Sequence, residues 1–404
     1  MYPFIVAGGD GNRIKKIIRK QKALLKFNNK TILDIQIDQL KKINRNIFIA
    51  IKNDDKIIIN HLNKIRSCKF TFLKETKKLG TAGCLEILNS YKIKDLLVIY
   101  SDILFNIDLQ KFIRFHKIKK SDLTLFVHPN DHPYDSDLLE INHNKKIKNF
   151  FHKPHKKRII GNLSLAGIYI IKAKLLKNLK KNKYQDFSLD FLPKILKKNY
   201  KVYAYKSREY TKDIGTPKRY KTAIKEFNSN KFKKGNLNKK KPAFFFDQNF
   251  FKKDKKNTYL KDKNNLNDEA FKLLKKLNKD GFLTIMIMDN NKKDKLNISN
   301  TNKQILEFET FLGKKNCYID EIAFDNLNNK QNKIKILKKI TKTFNINLNK
   351  SFIIFSRNKK LPLKKINIKS INIEDKIDQN SKFKFKSFET AIKYFLKFNF
   401  SDLI

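Results

Sequence analysis

The stretch FIVAGGDGNRIKKIIRKQKALL, residues 4–25, runs from an apolar β-type segment straight into a glycine cluster and then into a basic segment. Glycines at 8, 9 and 11 let the backbone turn tightly and bring its N–H groups against an anion, and Arg13 and Lys22 add positive charge at the same place. Such a strand-to-helix turn suits phosphate. It has neither the Gly-Lys-Ser/Thr of a Walker loop nor the glycine spacing of a dinucleotide fingerprint. The glycine cluster alone therefore leaves the class of nucleotide open.

Composition bounds the rest. Apolar residues make up 40% of the 404-residue chain, and 34 Phe and 14 Tyr supply enough core for two domains of ordinary size. The formal net charge of +53 points first to a polyanionic partner. Only nine of the 91 basic residues are Arg, however, and Lys and Asn are strewn over the whole chain. A specific reader of bases or phosphates favours the bidentate Arg fork, whereas Lys and Asn share A-rich codons. Coding bias is thus the preferred reading, nucleic acid is not the expected partner, and a selected polyanion-binding surface is the alternative. Cys68, Cys84 and Cys317 are scattered, which fits a reducing compartment and gives no thiolate zinc site. His128, His132, His152 and His155 fit no zinc-helix spacing. With no apolar run near the length of a membrane span and no signal-type start, a soluble, cytoplasmic protein is expected.

From the start to about residue 227, β-rich runs (4–8, 47–51, 70–73, 96–102, 123–128, 167–171 and 202–205) alternate with helical patterns such as TILDIQIDQLKKI and DLQKFIRFHKI. This predicts an α/β domain with a mostly parallel, Rossmann-like sheet covered by helices. Residues 228–242 are rich in Lys, Asn and Gly and read as a linker. A second alternation over 243–404 begins with AFFFD and predicts a smaller α/β domain.

Five further motifs follow the glycine turn in order: LGTAG (79–83), SD (101–102), HKP (152–154), LAGIY (165–169) and KDIGTP (212–217). Together they resemble the sugar-1-phosphate nucleotidyltransferase family, whose opening reads A-G-G-x-G-T-R and P-K-x-L-L and whose domain is GT-A-like. The resemblance implies attack by a sugar 1-phosphate on the α-phosphorus of a nucleoside triphosphate (NTP), with release of pyrophosphate and with Mg²⁺ as cofactor. It assigns Asp102 and Asp213 to the metal and Arg13 and Lys22 to the triphosphate as catalytic cations. Gly8, Gly9, Gly11, Gly80 and Thr81 fall to the nucleotide, and Lys153, Asn162 and Gly167 to the sugar phosphate. Asn12 replaces the usual Thr, Gln21 and Ala23 replace prolines, and His152 replaces the Glu of E-K-P.

The second domain resembles the haloacid dehalogenase (HAD)-type phosphatases of histidinol phosphate and heptose bisphosphate, which open with a strand and D-x-D-G. Asp247 occupies the nucleophile position, but Asn249 stands at the general acid and Phe250 at the glycine; an amide cannot deliver a proton to a leaving oxygen. Met288, Asp289 and Asn290 offer no hydroxyl for phosphate, Gln331 falls near the phosphate lysine with Lys330 and Lys333 beside it, and 356–359 (Ser-Arg-Asn-Lys) replace the metal acids. A catalytically inactive, HAD-like domain with a structural, dimerising or regulatory role is expected. Together with HPNDHPYDSDLLEIN (128–142), it resembles a subgroup fused to a heptose-bisphosphate phosphatase. That implies D-glycero-D-manno-heptose 1-phosphate and GTP as substrates for surface polysaccharide synthesis, with a homo-oligomer as a compatible assembly. The alternatives are a bifunctional enzyme with residual sugar-phosphate phosphatase activity and a non-enzymatic polyanion binder.

Overall fold

In a computed structural model of the chain, the structure describes residues 1–9, 21–53, 55–130, 132–142, 144–155, 161–229, 231–252, 266–289, 298–325, 330–354, 368–373 and 383–400. Contacts divide it into two units. The first takes in Met1–His128, Ser136–Pro154 and Leu163–Asn236, and the second Pro129–Asp135, His155–Asn162 and Leu237–Ile404.

The strands of the first unit are β1 (Tyr2–Val6), β2 (Lys26–Phe27), β3 (Lys30–Thr31), β4 (Asn46–Lys52), β5 (Lys69–Glu75), β6 (Asp95–Tyr100), β7 (Ile103–Asn106), β8 (Leu123–Pro129), β9 (Leu138–Ile141), β10 (Ile147–Phe151), β11 (Leu163–Lys172), β12 (Val202–Lys206) and β13 (Tyr210–Asp213). Its main sheet runs β10-β9-β11-β6-β1-β4-β5, with β8 pairing β11 and β12. Parallel pairing holds β1 to β4 and β6, β4 to β5, and β8 to β12. Against the expectation of a mostly parallel sheet, this one is mixed, because β11 runs antiparallel to β6 and β9, and β10 antiparallel to β9. For β9 and β10 the cause is local: Asn142 accepts from the Lys146 N–H, and a connection that short permits only antiparallel neighbours.

Helices pin this sheet through specific bonds. The helix Ile32–Leu40 starts on a capping box between Thr31 and Asp34, and its buried Gln36 donates to the carbonyls of Tyr100 and Ile103 at 3.0 and 2.8 Å. It thus fixes the chain on both sides of Ser101 and Asp102. The helix Leu109–Ile118 is capped by Asp108 and buries His116, whose Nδ1 lies 2.8 Å from Thr124 Oγ1. Burial pushes the His116 imidazole down to about 4. The unfolded chain takes up the proton near 6.5, so stability present at neutral pH is lost as pH falls from there through 4. We expect this group alone to cost about 3 kcal/mol over that window. His116→Gln should flatten the acid limb of a melting-temperature profile, and an unchanged limb would contradict the assignment.

The second unit carries β14 (Ala243–Asp247), β15 (Leu283–Asp289), β16 (Glu321–Asp325), β17 (Phe352–Ile354), β18 (Lys369–Ile373) and β19 (Phe383–Phe385). They form an all-parallel sheet in the order β16-β15-β14-β17-β18-β19. Phe244, Phe245 and Phe246 are fully buried at its centre, as expected of a strand with helices over both faces. The sequence order reverses between β14 and β17, the point at which open α/β sheets leave a crevice.

Candidate functional site

At the carboxyl ends of β1, β4 and β5 the first unit opens a cleft of about 830 Å³. Its walls include Gly8, Gly9, Lys22, Gly80, Thr81 and Asp102. The structure thus gathers six of the sequence-predicted residues, while Gly11 and Arg13 lie outside the described part.

Two glycines have a geometric reason. A Cβ on Gly8 would sit 2.5 Å from Glu75 Oε1, so the glycine leaves room for that carboxylate. Gly80 has φ +80°, and a Cβ there would meet the Gln185 carbonyl at 2.6 Å. The same carbonyl accepts from the Ala82 and Gly83 N–H groups at 3.0 and 3.1 Å, so the LGTAG turn is docked on 183–187. Thr81 Oγ1 donates to Asp186 at 2.9 Å and accepts from the Phe187 N–H at 2.8 Å. Asp186 and Tyr184, a ring in the cleft wall, escaped sequence reasoning because their loop has no periodic pattern.

Glu75 is the largest omission. It lines the cleft, is 8% exposed, and accepts from the Leu79 N–H at 3.1 Å. Burial holds its carboxyl above the usual range, opposed by the Leu79 hydrogen bond and by Lys52. A Glu at a strand end among lysines reads as solvated; the missing Cβ of Gly8 is what buries it.

Asp102 and Asp213 are brought together by the antiparallel pairing of β7 with β13, in which Asp213 lies opposite Ile103. The Ile214 N–H donates to the Asp102 carbonyl at 3.0 Å. A Cβ on Gly215 would lie 2.8 Å from Asp213 Oδ1, 3.5 Å from Lys22 Nζ and 3.7 Å from Asp102 Oδ2, so two carboxylates and an ammonium converge on one point. Lys22 Nζ is 3.0 Å from Asp102 Oδ2, and Arg219, also absent from sequence reasoning, binds Asp213 Oδ2 at 2.6 Å. Burial raises the Asp102 carboxyl, with Lys22 opposing and the like charge of Asp213 adding to the rise. Two hard oxygen donors in partial contact with solvent suit a divalent cation such as Mg²⁺, which would compete there with Lys22 and Arg219. Among the described residues no group of three or more His, Cys, Asp or Glu forms a metal cluster; the remaining ligands would have to come from phosphate and water.

On the opposite flank of Asp102, Gly167 has φ +70°, and a Cβ there would lie 3.1 Å from both Tyr100 and Ile103. Lys153 is exposed, and its N–H donates to Asp137 at 3.3 Å. His152, where the resemblance expects Glu, has Nδ1 2.8 Å from the same carboxylate. Asn162 falls in the second unit.

A profile of the nucleotidyl transferase family matches residues 2–230. The chain belongs to that family. A provisionally assigned mannose-1-phosphate guanyltransferase of Sulfolobus acidocaldarius is 30% identical over 238 residues, 57% of this chain. A glucose-1-phosphate adenylyltransferase of Mycoplasma mobile is 26% identical over 245 residues, 54% of this chain. The chain spans 64% of the length of each. A crystal structure of a provisionally assigned glucose-1-phosphate thymidylyltransferase from Bacillus anthracis, in complex with a sucrose, superposes with a TM-score of 0.50 at 20% identity. It covers 56% of this chain and 94% of that one, a likeness of fold. Among the described residues, no helix of this nucleotidyl transferase is long and apolar enough to cross a membrane.

In the second unit, Asp247 ends β14 and accepts from the Asn249 N–H at 2.9 Å, capping the short turn Gln248–Phe251. Phe250, at the expected glycine position, is fully buried and stacks on Phe246 with centroids 4.9 Å apart. Burial lowers the Lys252 ammonium, opposed by Asp247. Lys333 Nζ lies 4.0 Å from the buried Asp325, which also accepts from Asn332. Asn290, the side chains of Asp289, Lys330 and Gln331, and residues 356–359 lie outside the described part.

Proposed function

We propose that this chain transfers a nucleoside monophosphate from an NTP to a sugar 1-phosphate, giving a nucleotide sugar and pyrophosphate. The observation that carries the reading is the convergence of Asp102, Asp213 and Lys22 beside a glycine-walled cleft in a nucleotidyl transferase. A phosphate oxygen of the sugar 1-phosphate attacks the α-phosphorus in line; the new P–O bond forms as the bond to the β-phosphate oxygen breaks, and pyrophosphate departs with that electron pair. Asp102 and Asp213 would hold Mg²⁺, which would supply charge neutralisation at the reacting phosphates. Lys22, with Arg13, binds the triphosphate; the Gly8, Gly9 and Gly11 turn and Gly80 with Thr81 seat the nucleotide. Lys153, Asn162 and Gly167 serve the sugar phosphate.

GTP is the favoured nucleotide. A carboxylate only accepts hydrogen bonds, and Glu75 sits in the cleft wall between Gly8 and Leu79. Guanine offers adjacent N1–H and amino donors to such an acceptor, whereas the corresponding edge of adenine offers an acceptor at N1. For the sugar, the stretch 128–142 and the appended second unit favour D-glycero-D-manno-heptose 1-phosphate, made for surface polysaccharide in the cytoplasm. In the second unit, a HAD-like fold without phosphatase activity accounts for Asn249 and the buried Phe250.

The test is a panel of heptose, mannose and glucose 1-phosphates against GTP, ATP, UTP and dTTP, followed by pyrophosphate release with Mg²⁺, and by inorganic phosphate release from a sugar bisphosphate. Pyrophosphate with GTP and one sugar, and no phosphate, is expected. No turnover on any pair would overturn the transferase reading, and phosphate release abolished by Asp247→Asn would overturn the inactive assignment.

A further inference from the structure

Each carboxylate that the transferase reading gives to the metal is answered by a cation of the chain itself: Asp102 by Lys22 at 3.0 Å and Asp213 by Arg219 at 2.6 Å. All four residues belong to the first unit, and each is placed by its own element. Lys22 opens the short turn Lys22–Leu24, which is anchored by the buried Ala23 and Leu25. Arg219 lies in the first turn of the helix Pro217–Asn228, where its backbone N–H donates to Thr216 Oγ1 at 3.3 Å. The elements that carry the two cations are tied together, because Tyr220 Oη donates to the Lys26 carbonyl at 2.6 Å and its ring meets Phe27 edge-on at 5.5 Å. The elements that carry the two carboxylates are tied by the pairing of β7 with β13.

The two ion pairs differ in what it takes to open them. The side chains of Lys22 and Asp102 are 18% and 25% exposed, those of Arg219 and Asp213 32% and 41%. An ion pair open to water holds weakly, so Asp213 exchanges its partner more readily than Asp102. The Gly215 N–H donates to Asp213 Oδ1, which keeps this carboxylate in place when Arg219 leaves Oδ2. Charge balance then decides what can displace the guanidinium. Two carboxylates and two cations sum to zero, and a divalent cation arriving alone leaves an excess of two positive charges on a chain whose net charge is already +53. A divalent cation arriving with a triphosphate brings the anion that the displaced guanidinium needs. The Arg fork matches phosphate as well as carboxylate, and a phosphate on a cation held by Asp213 lies within reach of a guanidinium already in contact with that carboxylate.

We propose that Arg219 is an internal counter-ion that closes the metal site to a divalent cation alone and moves to the triphosphate when cation and nucleotide arrive together. The inference rests on the transferase reading above and adds a phosphate-binding residue to it. Asp213 is thereby released only to a cation that brings phosphate. Lys22, in the less exposed pair, stays at Asp102 until the triphosphate reaches it.

Calorimetric titrations of the full chain test this, first with Mg²⁺ alone and then with GTP in excess Mg²⁺. Arg219→Gln removes the competing charge and should bind Mg²⁺ alone about fivefold more tightly than the wild type. The same variant should bind GTP with Mg²⁺ about tenfold more weakly, because the guanidinium–phosphate contact is gone. Arg219→Lys keeps the charge and should hold Mg²⁺ alone at the wild-type affinity. The opposite signs are the signature, since general loosening of the fold weakens both. Unchanged or weaker binding of Mg²⁺ alone by Arg219→Gln would overturn the proposal, and so would unchanged binding of GTP. Neither titration needs turnover. A wild type inactive on every pair of the panel removes the transferase reading and leaves the titrations to decide on Arg219; an active wild type with indifferent Arg219 variants removes the counter-ion role alone.

Discussion

Asp102→Asn is expected to lower kcat on the order of 10³-fold while leaving the protein folded. The substitution keeps the shape and the place at the end of β6 but removes the charge that, with Asp213, gathers the cation. It also frees Lys22, now 3.0 Å away, to bind the triphosphate. Asp102 is held against burial and against the like charge of Asp213, so neutralising it relieves repulsion. The melting temperature without Mg²⁺ should therefore not fall, whereas the further rise that Mg²⁺ with NTP gives the wild type should shrink. The pair of readouts separates a lost metal ligand from a damaged fold. A variant with wild-type kcat, or one that melts well below the wild type, would contradict the account.

Glu75→Gln is expected to reduce the preference for GTP over ATP, measured as the ratio of kcat/KM values, by roughly 10- to 100-fold, the worth of a charge-assisted hydrogen bond in a buried site. The amide keeps one acceptor for the Leu79 N–H and turns a donor toward the donors of guanine. The wild type should also show a pH signature. Because burial raises the Glu75 carboxyl, the proton returns at a higher pH than for an ordinary Glu. As pH falls through that raised value the acceptor is lost, and KM for GTP should climb. The acid limb should be absent in the Gln variant. An unaltered GTP-to-ATP ratio would remove Glu75 from base recognition.

How much of this was legible in the sequence depends on which contacts are local. The apolar run into Gly8 and Gly9 and the helical pattern TILDIQIDQLKKI are signals carried by a few neighbouring residues, and the structure has a strand at Tyr2–Val6, two residues earlier than read, and a helix at Ile32–Leu40. Asp102 stood at the end of an apolar strand, again a local signal. Its approach to Asp213 is a product of β7 pairing with β13. Both are four-residue strands that no alternation marks. Part of the mixed character of the sheet went unread for a similar reason: β9 and β10 are short, and their mutual direction is decided by the turn at Asn142. Glu75 and Arg219 were invisible because a charged residue is read as solvated unless its partner is known. Gly8 lies far from Glu75 in sequence, and Asp213, though near Arg219 in sequence, sits at the end of a strand while Arg219 is on the following helix, so no periodic pattern pairs them. The assignment of Pro129–Asp135 and His155–Asn162 to the second unit is the extreme case, set by contacts to a helix that begins at Ile298.

The most direct test of the central claim follows the label of an α-³²P-labelled GTP in the presence of Mg²⁺ and the sugar 1-phosphate. The account predicts that the label moves quantitatively into a nucleotide sugar, dependent on Asp102 and on the metal, while a γ-label leaves as pyrophosphate. Label appearing only in GDP or GMP, or a product formed equally well by Asp102→Asn, would contradict it.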